Sequence, residues 1–544
     1  MTGDRTPFRG LRLDAVDATR RRFLTVTGAA MGLAVVGSLP GLASADGSAV
    51  ELTQLPEDPF ALGVASGDPL SDSVVLWTRL APRPLEPFGG LGPRPVMVLW
   101  EIAEDPAFRR VVRKGTARAR RVESYSVHID VQGLRPWREY WYRFRVGRHV
   151  SPAGRTRTAP AAGDSPAALR FAFASCQAYY EGFYTAYADM AARQHDVVFH
   201  LGDYLYEYGV TAGAGVRQQQ LPADQLRETM TLDEYRGRYA LYKSDPDLQA
   251  AHAAAPWIVT MDDHEVENNW ADEISETNAP RNEFVVRRAN AFRAWWEHMP
   301  VRLSQQPIGP DLQLYRRFQY GDLVRFNLLD TRQYRDDQAA GDGSDPPNPG
   351  SLDPNRTITG AEQERWLLDG FAERSARWEV LAHQTAIAQL DTRAGAEVIV
   401  PMDTWDGYVA SRQRVIGGAA ERGVRNLVSI AGDLHRSVVS ELKADYADPA
   451  APVVGTEFVG TSITSGRDGM DIDPGGQTIL DENPHVKFGN FQRGYVHVDV
   501  TPEQWLTDYR VADRVTVPGG VMSTRARIAV ADGDPSIHIE GGQA

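Results

Sequence analysis

A single cysteine, Cys176, occurs in 544 residues, which excludes an internal disulfide. Lysine is nearly as scarce: only Lys114, Lys243, Lys443 and Lys487 are present, and arginine carries the rest of the positive charge. That bias reflects genome composition and carries no functional reading. Long apolar runs are lacking too. The run near the N-terminus, about 17 residues ending at Leu39, is broken by Gly28, Gly32 and Gly37 and is shorter than the ~20 residues a membrane span needs. Internal repeats and heptads are absent, and the only biased tail is a few Gly-rich residues at the end, which excludes solenoids and coiled coils.

What is present starts with Thr19-Arg20-Arg21-Arg22-Phe23-Leu24, the mild apolar run and then Ala43-Ser44-Ala45. This is the pattern of a twin-arginine export signal over residues 1–45, cut after Ala45. It places the protein outside the cytoplasm and names the twin-arginine export machinery as a partner. That route carries folded proteins, so a metal can be inserted before export. Removing 1–45 takes away six arginines and three aspartates and moves the net charge from −14 to about −17. A chain this acidic repels nucleic acid at long range, so no stable nucleic-acid partner is expected. An anionic substrate would need metal ions to supply local positive charge.

The chain is 42% hydrophobic and 24% charged, ordinary for a globular protein and long enough for one large domain and a smaller one. Over residues 55–160, short alternating runs at Ser73 to Trp77, Val96 to Glu101, Ser126 to Val131 and Glu139 to Val146 are separated by Pro/Gly turns. They predict a small antiparallel β-sandwich of fibronectin or immunoglobulin type. Gly154 to Ala168 reads as a linker. Over 168–515, strand-like runs alternate with helix-like ones, which predicts an α/β domain, and 516–544 reads as a C-terminal extension. Thr359 and Glu362 stand at capping-box spacing, Asp336 to Asn355 reads as a mobile loop, and Phe292, Trp295, Trp296 and Met299 share a helix face assigned to core packing.

The chemistry gathers where strands end. Leu169 to Ala174 runs into Ser175-Cys176-Gln177, and Asp196 to Leu201 into Gly202-Asp203-Tyr204-Leu205-Tyr206-Glu207. Trp257 to Met261 runs into Asp262-Asp263-His264-Glu265, with Asn268 and Asn269 beyond, and Asn426 to Ala431 into Gly432-Asp433-Leu434-His435. Open α/β sheets place their sites at such ends. One acidic turn is ordinarily a helix cap or a solvated loop; four together point to a common centre. A thiolate, a phenolate and an imidazole suit a transition metal such as ferric iron, while carboxylates and amides suit calcium, magnesium or manganese. A carboxylate such as Asp203 bridging two ions would let water ionise at neutral pH, in line with phosphorus.

The blocks Gly202-Asp203-x-x-Tyr206, Asp263-His264-Glu265 and Gly432-Asp433-x-His435 resemble those of the calcineurin-like metallophosphoesterase superfamily, which includes purple acid phosphatases. Cys176 in place of an aspartate, Asp263 in place of asparagine and Asp433 in place of histidine make the chain similar to the PhoD-like alkaline phosphatase/phosphodiesterase family. Ala65-Ser66-Gly67-Asp68-Pro69, Val74 to Arg79, Leu329-Asp330-Thr331-Arg332 and His383-Gln384 agree with it. The resemblance implies two sheets flanked by helices and a secreted hydrolase of phosphate mono- or diesters, attacked by metal-held hydroxide. It also implies Fe(3+) on Cys176, Asp203, Tyr206 and His435, with Ca(2+) on Asp263 and Asp433 and Asp203 bridging.

His264 is the candidate to orient the phosphoryl group or protonate the leaving oxygen, or else to fix Asp263. Asp262 and Asn269 are candidates for the calcium shell, Arg332 for a fork on phosphate or a salt bridge to Asp330 or Asp336, and His383 for an outer position. Substrates outside the cytoplasm include phospholipid headgroups and cell-wall polyol phosphates. Two other readings remain at this point: a secreted calcium-dependent binding protein, and a metallohydrolase of another ester or amide.

Overall fold

The computed structural model describes residues 54–210 and 215–542; the export signal read over 1–45 lies outside the described residues. Side-chain alternation builds the layers. In the strand Leu169–Ala174, Leu169, Phe171 and Phe173 face one way, and Ala172 and Ala174 face the other, as a period of two requires. The large side chains meet Phe326, Val380, Ile430 and Phe458 of a second sheet in one buried cluster. The small ones make room for helices Thr185–Ala192, Leu232–Lys243, Pro246–Ala254 and Arg281–His298, which bring Tyr187, Tyr239, Leu248 and Trp295. The far side of the second sheet is covered by Gly360–Glu373 and Val409–Glu421 through Leu367, Phe371, Val415 and Ile416. The expected α/β sandwich of two sheets flanked by helices is what the chain forms.

The first sheet has ten strands, with Leu169–Ala174, Val197–His200 and Pro256–Val259 at its centre and mutually parallel. The second has seven, and Val324–Leu328, Trp378–Ala382, Leu427–Ala431 and Val453–Val459 run parallel within it. Their carboxyl ends present the loops that carry the candidate residues. Among the described residues no helix is long and apolar enough to cross a membrane.

The N-terminal strands are not confined to a sheet of their own. Val64–Gly67 pairs in parallel with Pro256–Val259, and Ser73–Arg79 and Ser126–Gln132 continue that sheet to its edge. A separate antiparallel sheet, built on Val96–Ala103, Val111–Ala119 and Glu139–Val146, packs on them through Val74, Leu76, Val98, Tyr142 and Phe144. At the other edge Met522–Ala531 and Asp534–Gly542 add two antiparallel strands.

Phe292, Trp295, Trp296 and Met299 are buried, as core packing requires. The capping box at Thr359 and Glu362 does not form: the Thr359 hydroxyl makes no cap hydrogen bond, and the box instead occurs at Thr231 and Glu234. The segment Asp336 to Asn355 is pinned by pairing of Ser344–Asp345 with Val400–Pro401.

Candidate metal centre

Four loops converge through backbone hydrogen bonds. Cys176 N donates to Gly202 O at 3.1 Å and Gln177 N to Asp203 O at 3.0 Å, locking the first two strand ends together. The Glu265 carboxylate accepts from Asp203 N at 3.1 Å, Tyr204 N at 2.5 Å and Asp262 N at 2.8 Å, tying the third loop to the second. Gly432 lies so close to Ser175 that a Cβ would stand 2.2 Å from its Oγ. Gly202 has φ +120° and its Cβ would meet the Asp262 Cβ at 2.4 Å, so no other residue fits there without strain.

The turns are strained at the functional side chains themselves. Cys176, Asp203, Asp433 and His435 have φ of 59°, 55°, 64° and 54°, a left-handed conformation that costs a non-glycine residue about 1–3 kcal/mol and clusters at functional sites.

Cys176, Asp203 and His435 place one donor atom each within 4.8 Å of one another, and so do Asp203, Asp263 and His264. Asp203 belongs to both groups. Its Oδ2 accepts from the Tyr206 phenol at 3.0 Å, and its Oδ1 is buried without a hydrogen-bond partner. The phenol oxygen also lies 3.1 Å from His435 Nε2 and 2.7 Å from Ser465 Oγ. Cys176 Sγ lies 3.1 Å from Ser175 Oγ.

Burial and nearby charge shift these groups in both directions: burial, then Arg493, lowers His435 to about 3, while most of the others are raised. Burial, then Asp203, pushes the Cys176 thiol well above its ordinary value, and the same two causes act on the Tyr206 phenol. Burial also raises Asp203 well above the carboxylate range, and burial and Asp263 push Asp433 up to about 6. Burial alone would raise Asp263, but Arg332, His264 and backbone N–H donors hold it below the usual range. Burial opposes charge on His264, yet Glu207, Asp263 and Asp203 lift it well above an ordinary imidazole. The donors are short of positive charge, and one buried carboxylate oxygen has no partner. A cation fits that description in both charge and donor chemistry.

Comparison with known proteins identifies the scaffold. The family model described as PhoD-like phosphatase matches residues 171–509, and the one described as its N-terminal domain matches 46–160. The chain belongs to the PhoD-like phosphatase family. Alkaline phosphatase D of Bacillus subtilis (strain 168) is 50% identical over 518 residues, 93% of this chain and 86% of that protein. A solved structure of PhoD aligns at TM-score 0.87 with 49% identity, over 90% of this chain and 94% of that one. A purple acid phosphatase from yellow lupin (Lupinus luteus) seeds aligns at TM-score 0.50 with 13% identity, over 88% of this chain and 75% of that one, a likeness of fold alone. The chain is therefore a phosphoric ester hydrolase by class, and the binding-protein alternative gives way.

Within this PhoD-like phosphatase the remaining candidates fall at different distances from the centre. Asp433 stands outside both donor groups, in electrostatic reach of Asp263 and Arg332 and hydrogen bonded to Thr385. Asn269 donates its backbone N–H to Asp263 Oδ2 at 2.8 Å and its amide to Asp342 at 3.0 Å. Arg332 is buried in carboxylates other than those expected: Nε contacts Asp262 Oδ1 at 2.7 Å and the guanidinium pairs with Asp403 at 2.9 Å. From Arg332, Asp330 accepts only the backbone N–H, at 3.0 Å; its other donors are the backbone and amide N–H groups of Gln333. The Arg332 contact also occupies one oxygen of Asp262. His383 sits in the core, its Nε2 2.8 Å from Ser429 Oγ and its ring against Trp405, and it touches none of the donors.

Sequence reasoning gave no role to Glu207, Glu265, Ser465 or Asp403. Glu207 Oε2 lies 2.8 Å from His264 Nδ1, which leaves Nε2 as the ring nitrogen free for other chemistry. Glu207 and Glu265 stand inside the runs that drew attention, so a signal existed; Ser465 and Asp403 stand in stretches with no such pattern.

Proposed function

We propose that the chain is a secreted, metal-dependent phosphoesterase that hydrolyses phosphate mono- or diesters at the centre around Asp203. The observation that carries the reading is the sharing of Asp203 between two donor groups of different chemistry. Cys176, Tyr206 and His435 offer the softer donors and would hold ferric iron; Asp263 and Asp433 offer oxygen donors and would hold calcium, with Asp203 common to both. When bound, such ions act as Lewis acids and supply an ionised water as nucleophile.

The protein's own groups do the rest. Glu265 fixes the loops that present Asp203 and Asp262. Glu207 holds His264 by Nδ1, so that Nε2 can give a proton to the leaving oxygen. Arg332 draws Asp262 and Asp403 together and sits 3.6 Å from Asp263, so it positions carboxylates rather than substrate. Arg20 and Arg21 of the export signal would carry the folded enzyme out of the cytoplasm; Arg20→Lys with Arg21→Lys should hold it inside the cell.

Turnover of p-nitrophenyl phosphate and bis-p-nitrophenyl phosphate, with and without calcium, tests the reading, together with the visible spectrum. Ferric phenolate or thiolate ligation predicts a coloured protein and calcium-dependent hydrolysis of at least one ester. A colourless, iron-free, folded enzyme would remove the iron assignment, and no turnover of either ester by metal-replete protein would remove the function.

A further inference from the structure

Aromatic side chains are almost wholly packed away in this protein. Among the described residues only Tyr208 and Tyr334 leave more than a third of their surface open, at 41% and 38%. Tyr334 sets its ring edge against Tyr315. Tyr208 instead stands against the imidazole of the centre: its ring centre lies 5.4 Å from that of His264, at 68°. The buried Tyr206 ring lies 4.1 Å from the same imidazole. One aromatic neighbour of His264 thus belongs to the donor cluster, and the other faces solvent.

The backbone under Tyr208 is fixed. Arg238, itself buried, donates from Nη1 to the carbonyls of both Tyr206 and Tyr208. Thr229 N donates to Glu207 O and Val210 N to Gln225 O, each at 2.9 Å. The ring is therefore an apolar surface held in a set place. Its hydroxyl makes no hydrogen bond among the described residues, and the side chain lies in electrostatic reach of Glu207, Glu276 and Asp263. An open ring that core packing does not use, set beside a group able to give a proton, is the kind of surface that lines ligand sites.

We propose that Tyr208 is a specificity-determining residue that receives the leaving group of the ester and favours leaving alcohols that carry an aromatic ring. The inference rests on the hydrolytic reading above and on His264 as proton donor. A donor nitrogen must come within about 2.6–3.2 Å of the leaving oxygen, so the first atoms beyond that oxygen meet whatever covers the open side of the imidazole. His264 is itself only 11% exposed, and the open side chain against it is Tyr208. As the bond from phosphorus to the leaving oxygen breaks, that oxygen takes the proton from His264 Nε2, and the departing alcohol lies along the Tyr208 ring.

The test compares esters that differ in the leaving group: p-nitrophenyl phosphate with glycerol 1-phosphate, and bis-p-nitrophenyl phosphate with bis(2-hydroxyethyl) phosphate, using whichever pair the metal-replete wild type turns over. Tyr208→Ala is expected to lower kcat/KM for the aryl ester about tenfold more than for the alkyl ester, the size of one aromatic contact, chiefly through KM. Tyr208→Phe should keep the wild-type ratio. Competitive inhibition by phenylphosphonate relative to methylphosphonate should move the same way, and it makes the comparison without turnover of an alkyl ester. A ring that only steadies His264 gives the opposite sign, because a poor leaving group depends more on the proton. An equal loss on both esters, or a larger loss on the alkyl ester, would therefore overturn the proposal. His264→Asn checks the proton donor separately, with a larger loss expected on the alkyl ester. No turnover of any ester by the wild type would remove the hydrolytic reading, and the role of Tyr208 with it.

Discussion

The Tyr206 phenol donates to Asp203 Oδ2 at 3.0 Å while Asp203 Oδ1, equally buried, accepts nothing. One oxygen of the carboxylate is committed and the other is buried without a protein donor. A buried acceptor left alone costs about 1–3 kcal/mol, and an ion held between Asp203 and Asp263 would satisfy it.

Replacement of Asp203 should therefore affect both ions together. Asp203→Asn keeps the shape and removes the charge and one acceptor. It is expected to lower phosphodiester turnover by about 10³-fold or more, because a ligand common to two ions serves both, and to reduce bound iron and calcium in the same preparation. Elemental analysis of purified protein checks this; loss of only one metal would break the link between the two donor groups.

Glu265 supports the centre without joining the donor groups. Glu265→Ala strips the acceptor from three backbone N–H groups. The expected cost is about 1–3 kcal/mol of stability and a 10- to 100-fold weaker hold on metal, as for other groups that orient ligands. Denaturant unfolding and competitive chelation measure the two separately.

The backbone at residue 202 is a steric prediction. Gly202→Ala would put a methyl 2.4 Å from the Asp262 Cβ at φ +120°. It should lower the thermal midpoint and turnover together, whereas Gly417→Ala, on a helix with nothing within 4 Å of the added carbon, should raise the midpoint slightly and leave turnover unchanged.

Away from the centre, Lys243 sets a pH dependence of stability. Its ammonium is buried against the rings of Trp77 and Tyr204, with His252 Nε2 at 3.4 Å, and burial lowers its pKa from 10.5 to about 7. Between those values the unfolded chain holds a proton that the folded protein has released. Stability from this group therefore rises as pH climbs from about 7 to 10.5, and is lost as pH falls toward 7. Lys243→Met should be more stable than wild type at pH 6 and should flatten that slope; urea unfolding at pH 6, 8 and 10 decides it.

Much of this was legible in the amino-acid order because parallel strands buried on both faces read as short apolar runs, and loops at their carboxyl ends read as breaks in them. Cys176, Asp203, Asp263 and Asp433 could all be placed that way. The continuation of Val64–Gly67 into the catalytic sheet was not legible, because its partner at Pro256–Val259 lies about 190 residues on and local pattern does not encode long-range pairing. Arg332 shows the same limit: proximity in sequence pointed to Asp330 and Asp336, but the fold supplies Asp262 and Asp403. Ser465 reaches Tyr206 from a loop after Val453–Val459 with no distinguishing residues, so nothing local announced it.

Anomalous diffraction from crystals of the purified enzyme, recorded on both sides of the iron absorption edge, decides whether Asp203 is shared by two ions. An iron peak bounded by Cys176, Asp203, Tyr206 and His435 is expected, with a lighter ion on the Asp263 side of Asp203. An iron-free centre, or an ion that does not touch Asp203, would contradict it.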